Sequence, residues 1–296
     1  MPLKVLEFFA GIGGWRYALG DSGTVTAAFD ISPAANATYR LNHGDLPHAR
    51  ELATISADKI QAFDADTWLM SPPCQPFCRM GNKQGLEDLR SRAFLRLMEL
   101  FELAPPKHLV LENVEGFLGS DAHDLLAVTL QRCGFQRQDY RLCPTQFGIP
   151  NQRPRVFILA SRQPFPRCPP PSIPPRHLEE FLDGNEDPSL YLEPGILVKH
   201  KPGLDLVRAQ DRRTACFIGG YGQRYVGSGS FLITERGIRR FSTGEVARLL
   251  GLPTSFRFPE DLSQEKRYKL LGNGLSIPVA AWVVGQLSKA CPSILD

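Results

Sequence analysis

The chain has 296 residues, 43% hydrophobic and 22% charged, enough to bury a core in one large domain with a smaller companion. A count of 34 Lys and Arg against 31 Asp and Glu gives a formal net charge of +3, a mild basic excess compatible with nucleic acid but no proof of it. Seven cysteines without a CxxC pair or zinc-finger histidines argue against a metal site, and the lack of a leader-like start or a long apolar run points to a cytoplasmic protein with no membrane partner and thiols packed as small apolar groups.

In chain order, short apolar runs at 3–9, 25–29, 67–70, 108–111 and 156–160 have the length of buried strands. Between them, 94–103 places apolar residues on one helical face, and 125–133 reads as a helix stopped by Gly134. Strands alternating with helices predict an α/β fold, a Rossmann-like and mostly parallel sheet covered on both faces. The texture changes after Ser161: the segment 163–176 carries seven prolines, and the stretch to about Gly237 is irregular and Gly-rich. Helical signals return at 242–250, where Ser242 and Glu245 have capping-box spacing before Gly251, and again at 278–287. These shifts suggest a catalytic, cofactor-binding domain at 1–162 plus 239–296, with a small inserted domain at 163–238. No long apolar helical seam is present, so a monomer is expected.

In an open parallel sheet, ligands bind beyond the carboxyl ends of the strands, so the residues that follow each strand carry the chemistry. The first strand is followed by Ala10, Gly11, Ile12, Gly13 and Gly14, the second by Asp30. Glycines let backbone approach a ligand closely, but Arg16 stands where a dinucleotide fingerprint needs its third glycine. Asp30 is placed to accept ribose hydroxyls, so an adenosine-type ligand without pyrophosphate suits the pair; a tight turn and a capping Asp would look the same. After the third strand, Pro72, Pro73 and Pro76 frame Cys74 in a stiff loop that favours a nucleophile over a packing thiol, while Cys78 lacks such a frame. Glu112 ends an apolar strand, where a carboxylate is costly unless paired or used; it suits donation to a ring nitrogen, or it caps the next segment. Arg153 and Arg155, just before the fifth strand, could hold an oxygen of a substrate ring or lie on the surface.

The runs FFAGIGG, SPPCQPF, ENV, QRPR and LGNG, in this order and across nearly the whole chain, resemble the cytosine-5 methyltransferases of DNA and RNA. Ser71 before the prolines, together with ACFIGGYG at 215–222, is similar to the type-2 DNA-methyltransferase homologues. That resemblance implies an S-adenosylmethionine-dependent methyltransferase fold whose insert is a target-recognition domain. The implied substrate is tRNA, at cytosine 38 of the anticodon loop in an aspartate-type tRNA, with DNA a weak partner. It implies that Cys74 attacks carbon 6, that Glu112 contacts N3, and that Arg155, with Arg153 beside it, contacts O2. Phe9, Ala10, Gly11, Ile12, Gly13, Gly14, Asp30, Ile31, Ile55, Ser71, Pro73 and Asn273 would hold S-adenosylmethionine; Gln75, Cys216, Phe217 and Tyr221 would meet the substrate. Arg239 and Glu245 match a late motif expected to tie the insert to the sheet. Two departures stand out: Ile218 where the branch has Thr, and Gly274 where Gly-Asn-Ser is usual, with Ser276 nearby. The alternatives are a DNA cytosine-5 methyltransferase of a restriction–modification system, a non-catalytic nucleic-acid binder, and a nicotinamide-dependent oxidoreductase. The last is disfavoured by the missing glycine, and the binder by the presence of Cys74, Glu112 and Arg155.

Overall fold

The computed structural model describes residues 2–49, 52–73, 91–184 and 187–287. The chain divides into two compact units: one comprises Met1–Leu142, Pro154–Pro169 and Ala280–Asp296, the other Cys143–Arg153 and Pro170–Val279.

The first unit is built on a six-stranded sheet of β1 (Leu3–Phe8), β2 (Gly23–Phe29), β3 (Thr67–Met70), β4 (His108–Asn113), β5 (Gln136–Leu142) and β6 (Arg155–Ser161). Their order is β2-β1-β3-β4-β6-β5; the first four run parallel, and β6 is antiparallel to both β4 and β5. The middle strands read as unbroken apolar runs because both of their faces are covered. Strand β5 escapes the sequence reading because QRQDYRL is an edge strand that buries only Tyr140 and Leu142.

The helices of this unit are α1 (Gly14–Leu19), α2 (Pro33–His43), α3 (Ala57–Gln61), α4 (Arg92–Leu103) and α5 (Asp121–Arg132). Helix α4 buries Phe94, Leu97, Met98, Leu100 and Phe101, the face the spacing predicts. Helix α5 starts ahead of the expected residue because the Ser120 hydroxyl accepts from the His123 amide and sets the first turn there. Gly134, at φ +72°, ends it as expected. Buried Cys168 is disulfide-bonded.

The second unit holds α6 (Pro194–His200), then β7 (Asp205–Val207), β8 (Ser230–Thr234) and β9 (Gly237–Arg240), and then α7 (Thr243–Leu249) and α8 (Gln264–Gly272). Helix α9 (Ile277–Gly285) crosses the boundary between the units. The three strands form a small sheet in the order β7-β8-β9. The sequence reads this stretch as irregular, because its one β-like run, SFLIT, is short and flanked by glycines. The capping box at α7 is present, with the Ser242 amide donating to Glu245 Oε2 (2.7 Å) and the Glu245 amide to Ser242 Oγ (3.0 Å).

The observed division differs from the boundaries that proline content suggests. Residues 143–153 and 239–279 join the second unit because hydrogen bonds stitch them to the insert. The Gln152 amide donates to Thr214 O and the Phe241 amide to Tyr221 Oη. Among the described residues no helix is long and apolar enough to cross a membrane, and no cluster of three His, Cys, Asp or Glu could hold a metal ion.

Candidate active site

Because β1 to β4 are parallel, the segments that follow them share one edge of the sheet: the turn 9–14, Asp30, the segment 71–73, and Glu112 with Asn113. Strand β6 runs the other way, so its first residue, Arg155, reaches this same edge. Arg155 Nε lies 3.2 Å from Glu112 Oε1, and both side chains are largely buried. Arg155 also donates through one terminal nitrogen to Pro154 O at 2.8 Å. The carboxylate at the end of an apolar strand is therefore paired with a cation that cannot lose its proton.

The turn after β1 takes an unusual path. Phe9 and Gly11 both sit at φ +56° and Gly13 at +84°. A Cβ on Gly13 would stand 2.2 Å from His43 Nε2, so that position is closed to any side chain, whereas Gly11 faces open space. Asp30 secures the turn: its Oδ2 accepts from the Gly11 amide and its Oδ1 from the Ser32 amide, each at 2.8 Å. Each oxygen keeps a further lone pair for a hydroxyl. Ala10, Ile12 and Gly14 are buried, so they can offer a ligand only backbone, while Ile31 is 71% exposed beside Asp30. Ile55 is buried. Its side chain lies in the core, and its carbonyl accepts from Arg96 Nε and a terminal nitrogen.

Ser71 begins the loop that leads to the candidate nucleophile, and its hydroxyl accepts from Trp15 Nε1 at 3.0 Å. Asn113 Nδ2 donates to Pro72 O at 3.1 Å, Pro72 being buried and Pro73 exposed. Cys74, Gln75 and Cys78 lie outside the described residues.

The remaining candidates belong to the second unit. Arg153, read from the sequence as the partner of Arg155, falls in the second unit and Arg155 in the first. It is buried, and its guanidinium donates to the carbonyls of Phe217 (3.2 Å), Gly272 (2.9 Å) and Gly274 (2.7 Å) and toward Cys216 Sγ (3.2 Å). One side chain thus joins QRPR, ACFIGGYG and LGNG. Phe217 and Tyr221, expected at the substrate, are instead buried ring against ring at 4.9 Å, and the Tyr221 hydroxyl donates to Ser230 O. Asn273 caps α8 in the same unit. At Gly274 a Cβ would lie 3.0 Å from Leu271 O and 3.1 Å from Leu250 Cδ1, so a side chain there would press on both neighbours. Arg239 and Glu245 form a buried bidentate pair (2.8 and 2.7 Å), and Glu245 also takes the Asp183 amide, so the expected tie lies inside this unit.

The model of the C-5 cytosine-specific DNA methylase family matches residues 3–194 and 195–289. The chain belongs to the cytosine-5 methyltransferases. Within that family it is 32% identical to a human protein named tRNA (cytosine(38)-C(5))-methyltransferase, over 96% of this chain and 98% of the relative. A Dictyostelium discoideum protein named DNA (cytosine-5)-methyltransferase is 28% identical over 94% of this chain and 92% of its own length. The crystal structure of S. pombe Dnmt2 methyltransferase superposes with a TM-score of 0.88 at 31% identity, covering 96% of this chain and 98% of that one. The protein is an enzyme of cytosine-5 methyl transfer, on the α/β methyltransferase fold.

Sequence reasoning gave no role to three residues of this unit: Trp15, Asn113 and Glu7. Trp15 and Asn113 hold Ser71 and Pro72, and the only signal for either is its position in or beside a motif. Buried Glu7, next to the last residue of β1, accepts from the Tyr39 hydroxyl at 2.9 Å. A carboxylate inside an apolar strand was the readable sign of that contact.

Proposed function

We propose that this methyltransferase uses S-adenosylmethionine to methylate carbon 5 of a cytosine in the anticodon loop of tRNA, through a covalent bond to Cys74. The observation that carries the chemistry is the Glu112–Arg155 pair on the edge that also bears the segment 71–73. The 9–14 turn suits an adenosine-type ligand: Gly11 leaves open space, Asp30 retains lone pairs for ribose hydroxyls, and exposed Ile31 offers an apolar face. When bound, S-adenosylmethionine supplies an electrophilic methyl group and leaves as S-adenosylhomocysteine.

Carbon 5 of cytosine is a poor nucleophile, so a covalent detour splits one hard step into two. The Cys74 thiolate adds to carbon 6 and pushes an electron pair into the ring. A proton shared between Glu112 and N3 offsets the negative charge that develops there, and Arg155 holds O2. Carbon 5 then has the electron density to take a methyl group. Loss of its proton to a base and departure of the thiolate restore the aromatic ring. The target base must leave its stack, which costs least in a single-stranded loop.

The tRNA substrate is supported by the relatives' names and by the SPPCQPF and ACFIGGYG runs; the Dictyostelium relative keeps a DNA substrate as the second reading. Methyl incorporation from radiolabelled S-adenosylmethionine into tRNA lacking the modification, set against duplex DNA, separates the two. Strong labelling of tRNA with little on DNA is expected, and the reverse would overturn the RNA reading.

A further inference from the structure

The first two residues after β3 are held from several directions within the first unit. The Ser71 amide donates to Phe8 O at 3.3 Å, the last bond of the β1–β3 ladder. The Ser71 hydroxyl accepts from Trp15 Nε1 at 3.0 Å, and Pro72 O accepts from Asn113 Nδ2 at 3.1 Å. Pro72 and Pro73 fix their own φ angles, which narrows the paths open to the backbone after Ser71. Of these constraints, the indole bond is the one that comes from the cofactor turn.

Trp15 directly follows that turn and is 2% exposed. Its ring stands edge-on to Phe157 at 6.3 Å and 90°, and Phe157 is the β6 residue paired with Glu112. One rigid side chain therefore touches the start of the nucleophile loop and the strand opposite the acid, and is anchored at the cofactor turn. An aliphatic residue could fill the same space without reaching Ser71.

We propose that Trp15 is a positioning residue for methyl transfer: its indole N–H holds Ser71, and with it the start of the run that carries Cys74. This rests on Cys74 as the nucleophile. Orientation of a nucleophile is spent in the rate of attack rather than in substrate affinity. The single bond differs from a general packing role because Trp15→Phe removes the N–H while keeping an aromatic ring on Phe157.

The test uses the full chain with Trp15→Phe, Ser71→Ala and the double variant. Single-turnover methyl transfer to unmodified tRNA is measured at saturating S-adenosylmethionine, together with covalent trapping on tRNA carrying 5-fluorocytosine. Each single variant is expected to slow adduct formation by about tenfold, the worth of one orienting hydrogen bond, and Trp15→Phe to leave the KM for S-adenosylmethionine nearly unchanged. The double variant is expected to be no slower than the slower single, because both remove one bond. Rates within twofold of the parent, additive losses, or a defect that vanishes at high S-adenosylmethionine would overturn the proposal. Ser71→Thr, which keeps an acceptor, should restore most of the rate, and its failure would count equally against the bond. Cys74→Ala, run alongside, separates the underlying reading: full turnover and normal labelling in that variant would sink the nucleophile assignment itself.

Discussion

Arg155 Nε sits 3.2 Å from Glu112 Oε1 because β6 runs antiparallel to β4, which brings the start of one strand beside the end of the other. In a wholly parallel sheet the first residue of β6 would lie at the opposite edge, out of reach of the carboxylate. The strand reversal is thus what assembles the acid and its cation. Only one guanidinium edge faces Glu112, which leaves donors for a substrate oxygen. Arg155→Lys loses that two-sided geometry and is expected to lower kcat by about a hundredfold. Glu112→Gln keeps the shape but not the proton and should cost at least as much. Single-turnover kinetics on tRNA check both, and a kcat within threefold of the parent for either would remove that residue from the chemistry.

Arg153 predicts the opposite outcome two residues away. Its guanidinium satisfies the carbonyls of Phe217, Gly272 and Gly274 within the second unit. A lysine has a single ammonium and cannot reach all three, so buried acceptors are left unpaired. Arg153→Lys should lower unfolding free energy by about 3 kcal/mol, read by denaturant titration. Its single-turnover rate, measured on the folded fraction, should stay near that of the parent. A large kinetic defect in a fully stable variant would return Arg153 to the active site.

The contrast shows what the sequence could and could not tell. Residue type marks both arginines as candidates, but strand direction and burial decide between them, and neither is written in QRPR. The parallel strands, α4 and the α7 capping box were legible because each is a local pattern of spacing. Strand β5 was not, since an edge strand alternates weakly, and β8 was hidden among glycines. The buried positions of Phe217 and Tyr221 were missed for a related reason: an aromatic in a Gly-rich run looks like a stacking surface until its hydroxyl is seen bonded to Ser230 O and its ring packed on Phe217.

Glu245 gathers four donors: the amides of Ser242 and Asp183, and both terminal nitrogens of Arg239. Both partners of the ion pair are almost wholly buried. Removing one leaves an uncompensated charge, so Glu245→Ala should destabilise the fold by about 3–5 kcal/mol. The measurement is thermal or urea unfolding of the two single variants and of Glu245→Met with Arg239→Met. The double variant should recover much of the loss, because no charge remains unpaired. If it is as unstable as the sum of the singles, the pair is not the source of the effect.

Glu7 and His43 lie on either side of the Tyr39 ring system and titrate in opposing senses. Burial pushes the Glu7 carboxyl up from its ordinary 4.5 to about 7, against the Tyr39 hydroxyl and the amides of Arg16 and Trp15, which favour its charged form. Burial, with Arg16 nearby, pulls His43 down from 6.5 to about 4. A raised folded value for Glu7 means its contribution to stability is full below pH 4.5 and is lost as pH rises through about 7. A lowered folded value for His43 means its contribution is full above pH 6.5 and is lost as pH falls toward about 4. The two slopes oppose each other over most of the same range and flatten the parent's profile. Glu7→Gln keeps an acceptor for Tyr39 but cannot ionise. It should therefore gain on the parent as pH rises through 4.5 to 7, by as much as about 3 kcal/mol above pH 8. The variant alone should also lose stability more steeply than the parent below pH 6.5, where only the histidine slope remains. Urea unfolding of both proteins at several pH values gives the difference directly, and a difference that does not change with pH would remove Glu7 from the titration.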